Sequence, residues 1–272
     1  MLKDVTFGQY FPGDSVVHKM DPRMKLVLII VYIVMLFVAD GIIPLLLGVA
    51  VTVFAYAMSK LSFKLVWRSV KPILPIVVFT AILNIFFIEG DPLFQWKFIT
   101  ISERGVVTAV LMCVRIISLI AGSSLLTYTT TPIALTDGLE RLMKPLEKIK
   151  VPVHELSMMM TIALRFIPTL IDETGKIIAA QKARGADMDS GNAIQKARAL
   201  VPILIPLFVS AFRRADELAL AMECRCYRGG EGRTRLKQLS LSGRDWAAAA
   251  LMTAAFAGVI LLNKFGPAVM VL

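Results

Sequence analysis

Charged residues are scarce in this sequence. They make up 18% of its 272 residues, against about a quarter in a soluble domain, while 57% of the residues are hydrophobic and the mean hydropathy is +0.71. This composition argues against a soluble globular domain and favours a protein that folds in lipid.

Patterns that bind metals or nucleotides are absent as well. His154-Glu155 begins like a metalloprotease motif, but the residue four positions after the histidine is Met158. Three cysteines exclude a disulfide framework, and Cys224-x-Cys226 lacks the second pair that a zinc site needs. The phosphate-binding pattern Gly-x4-Gly-Lys-Ser/Thr does not occur, which excludes nucleotide binding by that route. We therefore predict no cofactor, no metal and no enzymatic activity.

The apolar residues fall into blocks that are long enough for membrane helices. Five such blocks lie at residues 26–39, 42–58, 72–88, 105–127 and 246–263. A hydrocarbon core about 30 Å thick needs roughly 17–25 helical residues, so the shorter blocks depend on interfacial flanking residues. We predict an all-α polytopic membrane protein with about five transmembrane helices.

Lysine and arginine are distributed unevenly between the blocks. With five spans and the N-terminus inside, 26 of the 30 basic residues face the cytoplasm, three face outward and Arg115 lies within a span. Because cytoplasmic segments carry the excess of basic residues, this bias predicts a multi-pass protein of the plasma membrane with its N-terminus in the cytoplasm. The net charge of +10 does not indicate nucleic-acid binding, since no aromatic-basic pattern and no zinc or helix-turn-helix spacing accompanies it.

The region 131–243 is too charged for further spans, yet it contains strongly apolar stretches. We predict three long amphipathic cytoplasmic helices at 132–149, 153–184 and 193–227. Between the last two, Gly185 is predicted as a C-terminal cap and Ser190 or Asn192 as an N-cap. The predicted domains are residues 1–130 with four spans, the helices of 131–243, and a last span in 244–272.

Helices as apolar as the second and third need a cover, either the membrane interface or the helices of a partner. Methionine offers an adaptable surface for a partner, although it also serves as ordinary core filling. The residues predicted to form this partner platform are Met158, Met159, Met160, Leu164, Phe166, Leu204, Leu207 and Phe208.

A lone arginine occurs near the end of each of these two helices. The two segments are Ala183-Arg184-Gly185 and Cys224-Arg225-Cys226. Small flanking residues let another surface approach closely, and arginine then offers a rigid five-donor fork. Partner docking and an ordinary solvated helix end both fit this pattern. The tetrapeptide Gln-Lys-Ala-Arg of 181–184 recurs at 195–198, but there no glycine follows.

Arg115 is the one charged residue inside a predicted span. A charge within the membrane is costly and usually faces a partner or a cavity. We expect it to pair with the hydroxyls of Ser118 or Thr108, or with an acidic residue elsewhere. The spans offer little other polar chemistry, which disfavours an intramembrane enzyme.

The chain resembles, over nearly its whole length, the transmembrane coupling proteins (T components) of energy-coupling factor transporters. The stretches that carry the resemblance include Asp21-Pro22-Arg23-x-Lys25-Leu26, Ala180-Gln181-x-Ala183-Arg184-Gly185 and Glu223-Cys224-Arg225-Cys226-Tyr227. Further matching stretches lie at 10–18, 130–145, 163–168 and 214–222. Together these stretches are specific, whereas any one of them alone is weak.

The resemblance implies a non-catalytic importer subunit that transmits the motions of ATPases to a substrate-binding membrane protein, the S component. Two ATPase subunits would bind the ends of two coupling helices through Arg184 and Arg225 and their neighbours. An interchangeable S component would rest on the platform and capture a vitamin. Cys226 departs from the glycine that is usual at its position, which raises a question about the geometry of that helix end.

Two other functions fit parts of the sequence. The cobalt or nickel version of the same subunit would share the coupling helices, although the N-terminal stretch is more similar to the vitamin version. A self-contained carrier would transport without any ATPase.

Overall fold

The computed structural model describes residues 10–88, 92–96, 99–186, 192–229 and 239–265. The regular secondary structure within these ranges is helical apart from one antiparallel β-hairpin, β1 (Pro92–Trp96) and β2 (Ile99–Ser102), and this confirms the all-α fold class. Two 3-10 segments, Lys71–Ile73 and Lys144–Ile149, adjoin α-helices. The α-helices are α1 (Pro22–Val38), α2 (Ile42–Ser59), α3 (Phe63–Val70), α4 (Leu74–Phe87), α5 (Glu103–Thr129), α6 (Pro132–Met143), α7 (Val153–Ala183), α8 (Ala193–Cys224) and α9 (Gly243–Phe265).

Four helical segments within the described ranges are long and apolar enough to cross a membrane. They are Ile42–Ser59, Lys64–Phe87, Glu103–Thr129 and Gly243–Lys264, and they coincide with four of the five predicted spans. The remaining prediction, residues 26–39, falls on α1, which has 17 residues and lies at the lower limit of a membrane-spanning length. The protein is therefore a polytopic helical membrane protein.

The chain forms two compact units. The larger comprises Gly8–Leu139 and Gln238–Leu272, and the smaller is formed mainly by Glu140–Lys237. In the larger unit α1 packs against α2, α5 and α9, and its Tyr32, Met35 and Leu36 are almost fully buried. Gly122 of α5 lies so close to the Tyr32 ring that a Cβ would come within 2.4 Å of it, which explains the glycine.

The stretch before the third predicted span differs from expectation. Residues 59–71 lie between the second and third predicted spans, but α3 begins at Phe63, and a 3-10 turn at Lys71–Ile73 joins it to α4. Pro72 has no N–H to donate to a preceding turn, so the helix tightens there and continues. The hairpin β1–β2 was not predicted either.

The predicted partners of Arg115 were wrong. Its Nη2 donates to the carbonyl of Ala39 at 2.6 Å, and its Nη1 lies 3.9 Å from the sulfur of Met112. Ala39 is the C-cap of α1, so the guanidinium satisfies a carbonyl that the helix leaves without an internal donor. A positive charge at this end also suits the helix dipole.

Candidate functional site

Helices α7 and α8 of the smaller unit form an antiparallel pair. Three contacts join the two helices along the length of α7. The Tyr227 hydroxyl donates to the Met158 sulfur at 3.2 Å near the start of α7, and Arg214 donates to Glu173 at 2.8 Å further along. Near the end of α7, the Gln181 side chain donates to the Pro202 carbonyl at 3.2 Å. The order of these partners runs in opposite directions along the two helices. The predicted helices 153–184 and 193–227 are thus confirmed to within three residues at each end.

The contact between Gln181 and Pro202 follows from the position of a proline. In an α-helix the Pro202 carbonyl would accept from the N–H four residues later, but that residue is Pro206, which has none. The Gln181 side chain supplies the missing donor from α7. Gln181 therefore links the last turn of α7 to α8, a role that its place in the motif did not indicate.

Glu173 joins the middle of the two helices. Its carboxylate accepts hydrogen bonds from the Ser210 hydroxyl and from Arg214, whose Nη2 lies 2.8 Å away. The hydrogen bond from Ser210, with the positive charge of Arg214, lowers the pKa of Glu173 below its ordinary value. The carboxylate is therefore ionised at neutral pH and holds α8 against α7.

The end of α7 is a Schellman motif. The N–H of Ala186 donates to the Gln181 carbonyl at 3.0 Å, and the N–H of Gly185 donates to the Lys182 carbonyl at 3.0 Å. Gly185 has φ +86°, a left-handed conformation that glycine adopts without strain. The prediction that Gly185 ends α7 as its C′ residue, one position after the C-cap, is confirmed. At the start of α8, Asn192 is the N-cap and its N–H donates to the Gln195 side chain, while Ser190 lies outside the described residues.

The end of α8 has the same geometry. The N–H of Tyr227 donates to the Met222 carbonyl at 3.0 Å, and the N–H of Cys226 donates to the Glu223 carbonyl at 2.8 Å. Cys226 adopts φ 55°, so it occupies the left-handed position that Gly185 occupies in α7. A residue with a Cβ is strained there, yet the helix ends in the same way. Arg225 and Arg184 are the C-caps of their helices, with φ, ψ of −93°, 15° and −83°, 3°.

Both arginines are exposed, as are their neighbours Ala183, Gly185, Cys224 and Cys226. Among the described residues, no hydrogen bond or ion pair engages either guanidinium. Because Tyr227 contacts Met158 near the start of α7, Arg225 lies beside the start of α7 while Arg184 lies at its end. The 26 helical steps from Met158 to Arg184 span about 39 Å at 1.5 Å per step. The pair of helices therefore presents two like tips, roughly 40 Å apart.

The platform residues lie on this same helix pair. Met159, Met160, Leu204 and Phe208 are 44–59% exposed, and the other four are half-buried. The half-buried residues are Met158, Leu164, Phe166 and Leu207. An apolar surface of this extent is typical of a site that another protein or the membrane covers.

Glu140 of α6 ties the start of α7 in place. It accepts from the Ser157 hydroxyl, and its other oxygen lies 3.3 Å from His154 Nδ1. His154 is thus part of a structural contact between neighbouring helices and not of a metalloprotease motif.

In the larger unit, a buried polar network explains the N-terminal motif. Asp21 is the N-cap of α1, and its carboxylate binds Arg23 at 2.8 Å and 3.1 Å. The Asp21 N–H donates to the carboxylate of Asp245, which is 1% exposed. Lys25 donates to the carbonyl of Thr129 at 2.9 Å. The network therefore joins the beginnings of α1 and α9 to the end of α5.

Sequence reasoning missed Asp245. Its second oxygen accepts from the N–H and the hydroxyl of Ser242 at 2.7 Å and 3.0 Å. Ser242-x-x-Asp245 before an apolar run is the pattern of a capping box and could have identified it.

Comparison with known proteins gives the family. A family model described as "Cobalt transport protein" matches residues 13–236. The energy-coupling factor transporter transmembrane protein EcfT of Clostridium kluyveri is 57% identical over 250 residues, covering 91% of this chain and 93% of the relative. The protein of that name from Ruminiclostridium cellulolyticum is 53% identical over 266 residues, covering 97% and 98%. The one from Bacillus subtilis is 46% identical over 246 residues, covering 90% and 93%.

The helical fold and the candidate membrane spans define a polytopic helical membrane protein. The chain belongs to the family of energy-coupling factor transporter transmembrane proteins. As a member of this family it is the membrane component of an energy-coupling factor transporter.

Proposed function

We propose that this chain couples two ATPase subunits to a substrate-binding S component, and that Arg184 and Arg225 are the points at which the ATPases dock. The observation that carries the proposal is the equivalence of the two helix ends: each places an exposed arginine at the C-cap of a Schellman motif. Two like tips fit two like partners. Their separation of roughly 40 Å leaves room for one ATPase at each tip.

The orientation follows from the basic residues. The 26 lysines and arginines of the predicted inner segments, against three outside, favour the cytoplasmic side of the plasma membrane for α7, α8 and the N-terminus. The ATPases would then meet the arginine tips in the compartment that holds ATP.

Coupling requires that α7 and α8 move as connected bodies. The contacts of Gln181 and Glu173 with α8, and of Tyr227 with Met158, supply connections at three levels of the pair. A displacement of either tip by a closing ATPase is thereby transmitted along the helices to their apolar surface. The chain itself performs no chemistry in this scheme, and ATP hydrolysis belongs to the partners.

The S component is proposed to cover the exposed part of the platform. Met159 and Met160 of α7 and Leu204 and Phe208 of α8 would contact its helices. Methionine side chains repack readily, which suits a surface that accepts several different S components.

The test compares arginine variants in the assembled transporter. Arg184→Ala with Arg225→Ala should reduce the recovery of ATPase subunits with the tagged chain and abolish ATP-dependent uptake, while the amount inserted in the membrane stays the same. Arg198→Ala is the matched control, because Arg198 ends the same tetrapeptide and is exposed but lies inside α8. Normal ATPase recovery and uptake by the double variant would refute the docking role.

Vitamins are proposed as the cargo because the N-terminal stretch resembles the vitamin version of the subunit. Cells that express the chain with its ATPases and S components should accumulate a labelled vitamin such as riboflavin. Uptake of Co²⁺ in its place would assign the chain to the metal version. Uptake by the reconstituted chain alone would identify a self-contained carrier.

A further inference from the structure

An apolar cavity of about 350 Å³ lies within the larger unit, between α1, α2, α5 and α9. Its volume falls in the range of about 300–1,000 Å³ that is typical of small-molecule sites. Almost all of its lining is hydrocarbon, contributed among others by Ile29, Phe54, Leu125 and Leu251. An occupant of this cavity must therefore be apolar over most of its surface.

The few polar groups in the wall are engaged by the protein. Tyr32 bonds to Thr52 and to the Ser118 carbonyl, and the Tyr56 hydroxyl donates to the Ala121 carbonyl at 2.8 Å. Lys25 donates to Thr129, to Thr130 and to the His18 carbonyl. These groups offer little to a polar ligand, since a new partner would have to replace bonds that already exist.

Arg244 is the exception at the edge of the cavity. It is exposed, it lines the cavity, and among the described residues no hydrogen bond or ion pair engages its guanidinium. It lies in the first turn of α9, at the end of the bundle where α1 also begins and where α2 and α5 end. Lys60, which follows α2 directly, adds a second positive charge at this end. The cavity thus combines a hydrocarbon interior with a cation at the level of the helix ends.

We propose that this cavity binds one acyl chain of an anionic phospholipid whose phosphate is held by Arg244. The chain would lie between α2 and α9 among the apolar side chains, and the headgroup would remain at the membrane surface. Arginine binds phosphate through two parallel hydrogen bonds, which a neutral residue cannot reproduce. Basic residues at a membrane surface attract anionic lipids with about 1 kcal/mol each, or about fivefold in affinity.

A helix of a partner protein is the competing occupant, and charge complementarity decides against it. Apart from Arg244, the polar side chains that line the cavity are engaged within the protein, so they offer a partner helix few new hydrogen bonds. The guanidinium of Arg244 lies at the level of the helix ends, where the phosphate of a lipid headgroup would meet it. The proposal concerns the larger unit alone, so it does not depend on the docking role of Arg184 and Arg225.

The experiment measures lipid bound to the purified full chain. The chain is placed in nanodiscs of phosphatidylcholine and phosphatidylglycerol, extracted into mild detergent, and analysed by native mass spectrometry for retained phospholipid. Arg244→Gln should lower the preference for phosphatidylglycerol over phosphatidylcholine about fivefold. Arg68→Gln, an exposed arginine of α3 that does not line the cavity, should leave the preference unchanged.

A second pair of variants tests the cavity itself. Ala248→Trp fills the cavity from α9 and should abolish retention of the tightly held lipid, whereas Ala254→Trp on the exposed face of α9 should not. The proposal is overturned if Arg244→Gln and Arg68→Gln retain the same lipids in the same ratio. The proposal is also overturned if the isolated chain retains a phospholipid that is lost in the complete transporter, because a partner segment would then fill the cavity.

Discussion

Asp245 gives the sharpest prediction about stability. The residue is 1% exposed, and its two oxygens accept from the backbone N–H groups of Asp21 and Ser242 and from the Ser242 hydroxyl. In Asp245→Ala both N–H groups lose their acceptor. The Asp21 N–H is then a buried donor without a partner, which costs about 1–3 kcal/mol. Ser242 is exposed, so its N–H can turn to water, and the loss there is that of a helix cap, about 0.5–2 kcal/mol. The free energy of unfolding should therefore fall by about 1.5–5 kcal/mol. Asp245→Asn keeps one oxygen and should cost about half as much.

Unfolding of the purified chain in mixed micelles by increasing sodium dodecyl sulfate measures this loss. The matched control is Asp14→Ala, because Asp14 is 96% exposed and its ion pair with Lys19 is a surface pair. The control should change the unfolding free energy by no more than about 0.5 kcal/mol. If Asp245→Ala were as stable as Asp14→Ala, the hydrogen bonds of Asp21 and Asp245 would not hold the beginnings of α1 and α9 together, and the role given to Asp21 would be wrong.

Three further predictions concern helix ends, helix packing and pH. Cys226→Gly should raise the unfolding free energy by about 1 kcal/mol, because φ 55° is strained for a residue with a Cβ. Cys224→Gly, a change within the helix, should lower the unfolding free energy. Equal effects of the two substitutions would contradict the left-handed conformation of Cys226. Gly122→Ala should lower the unfolding free energy by about 1–3 kcal/mol, because the new methyl group clashes with the ring of Tyr32. Gly175→Ala should raise it slightly, because no atom lies within 4 Å of the position of its Cβ. The denaturant midpoints of the two variants distinguish these outcomes. Since the pKa of Glu173 is lowered in the folded chain, its stabilising effect is present above the unfolded pKa of about 4.3 and is lost as the pH falls through the folded pKa. Wild type should therefore lose its advantage over Glu173→Gln in unfolding free energy at strongly acidic pH, and a constant difference would refute this.

The helices were largely predictable because their signals are local. Apolar blocks and breakers set the spans, and the glycine after Arg184 identified the cap of α7. The left-handed conformation of Cys226 was not predictable from its residue type, which disfavours it. Its position is set by the hydrogen bonds of the residues around it, which repeat those at the end of α7.

The contacts between helices were much less predictable, because they join residues distant in sequence. Arg115 was expected to find a hydroxyl or an acid, but it caps the end of another helix. Asp245 accepts a hydrogen bond from the N–H of Asp21, which lies 224 residues away in the sequence. No periodicity or spacing encodes such a partner, although the pattern Ser242-x-x-Asp245 could have indicated a capping role for Asp245.

The central claim is that the two arginine tips lie in the cytoplasm and are covered by ATPases. Cys226 adjoins one of them, is exposed, and becomes the only thiol of the chain in the background Cys113→Ser with Cys224→Ser. A membrane-impermeant maleimide should label Cys226 in inside-out vesicles and not in right-side-out vesicles, and bound ATPase subunits should slow that labelling strongly. Labelling from the outer side, or a rate that the ATPases leave unchanged, would contradict the claim.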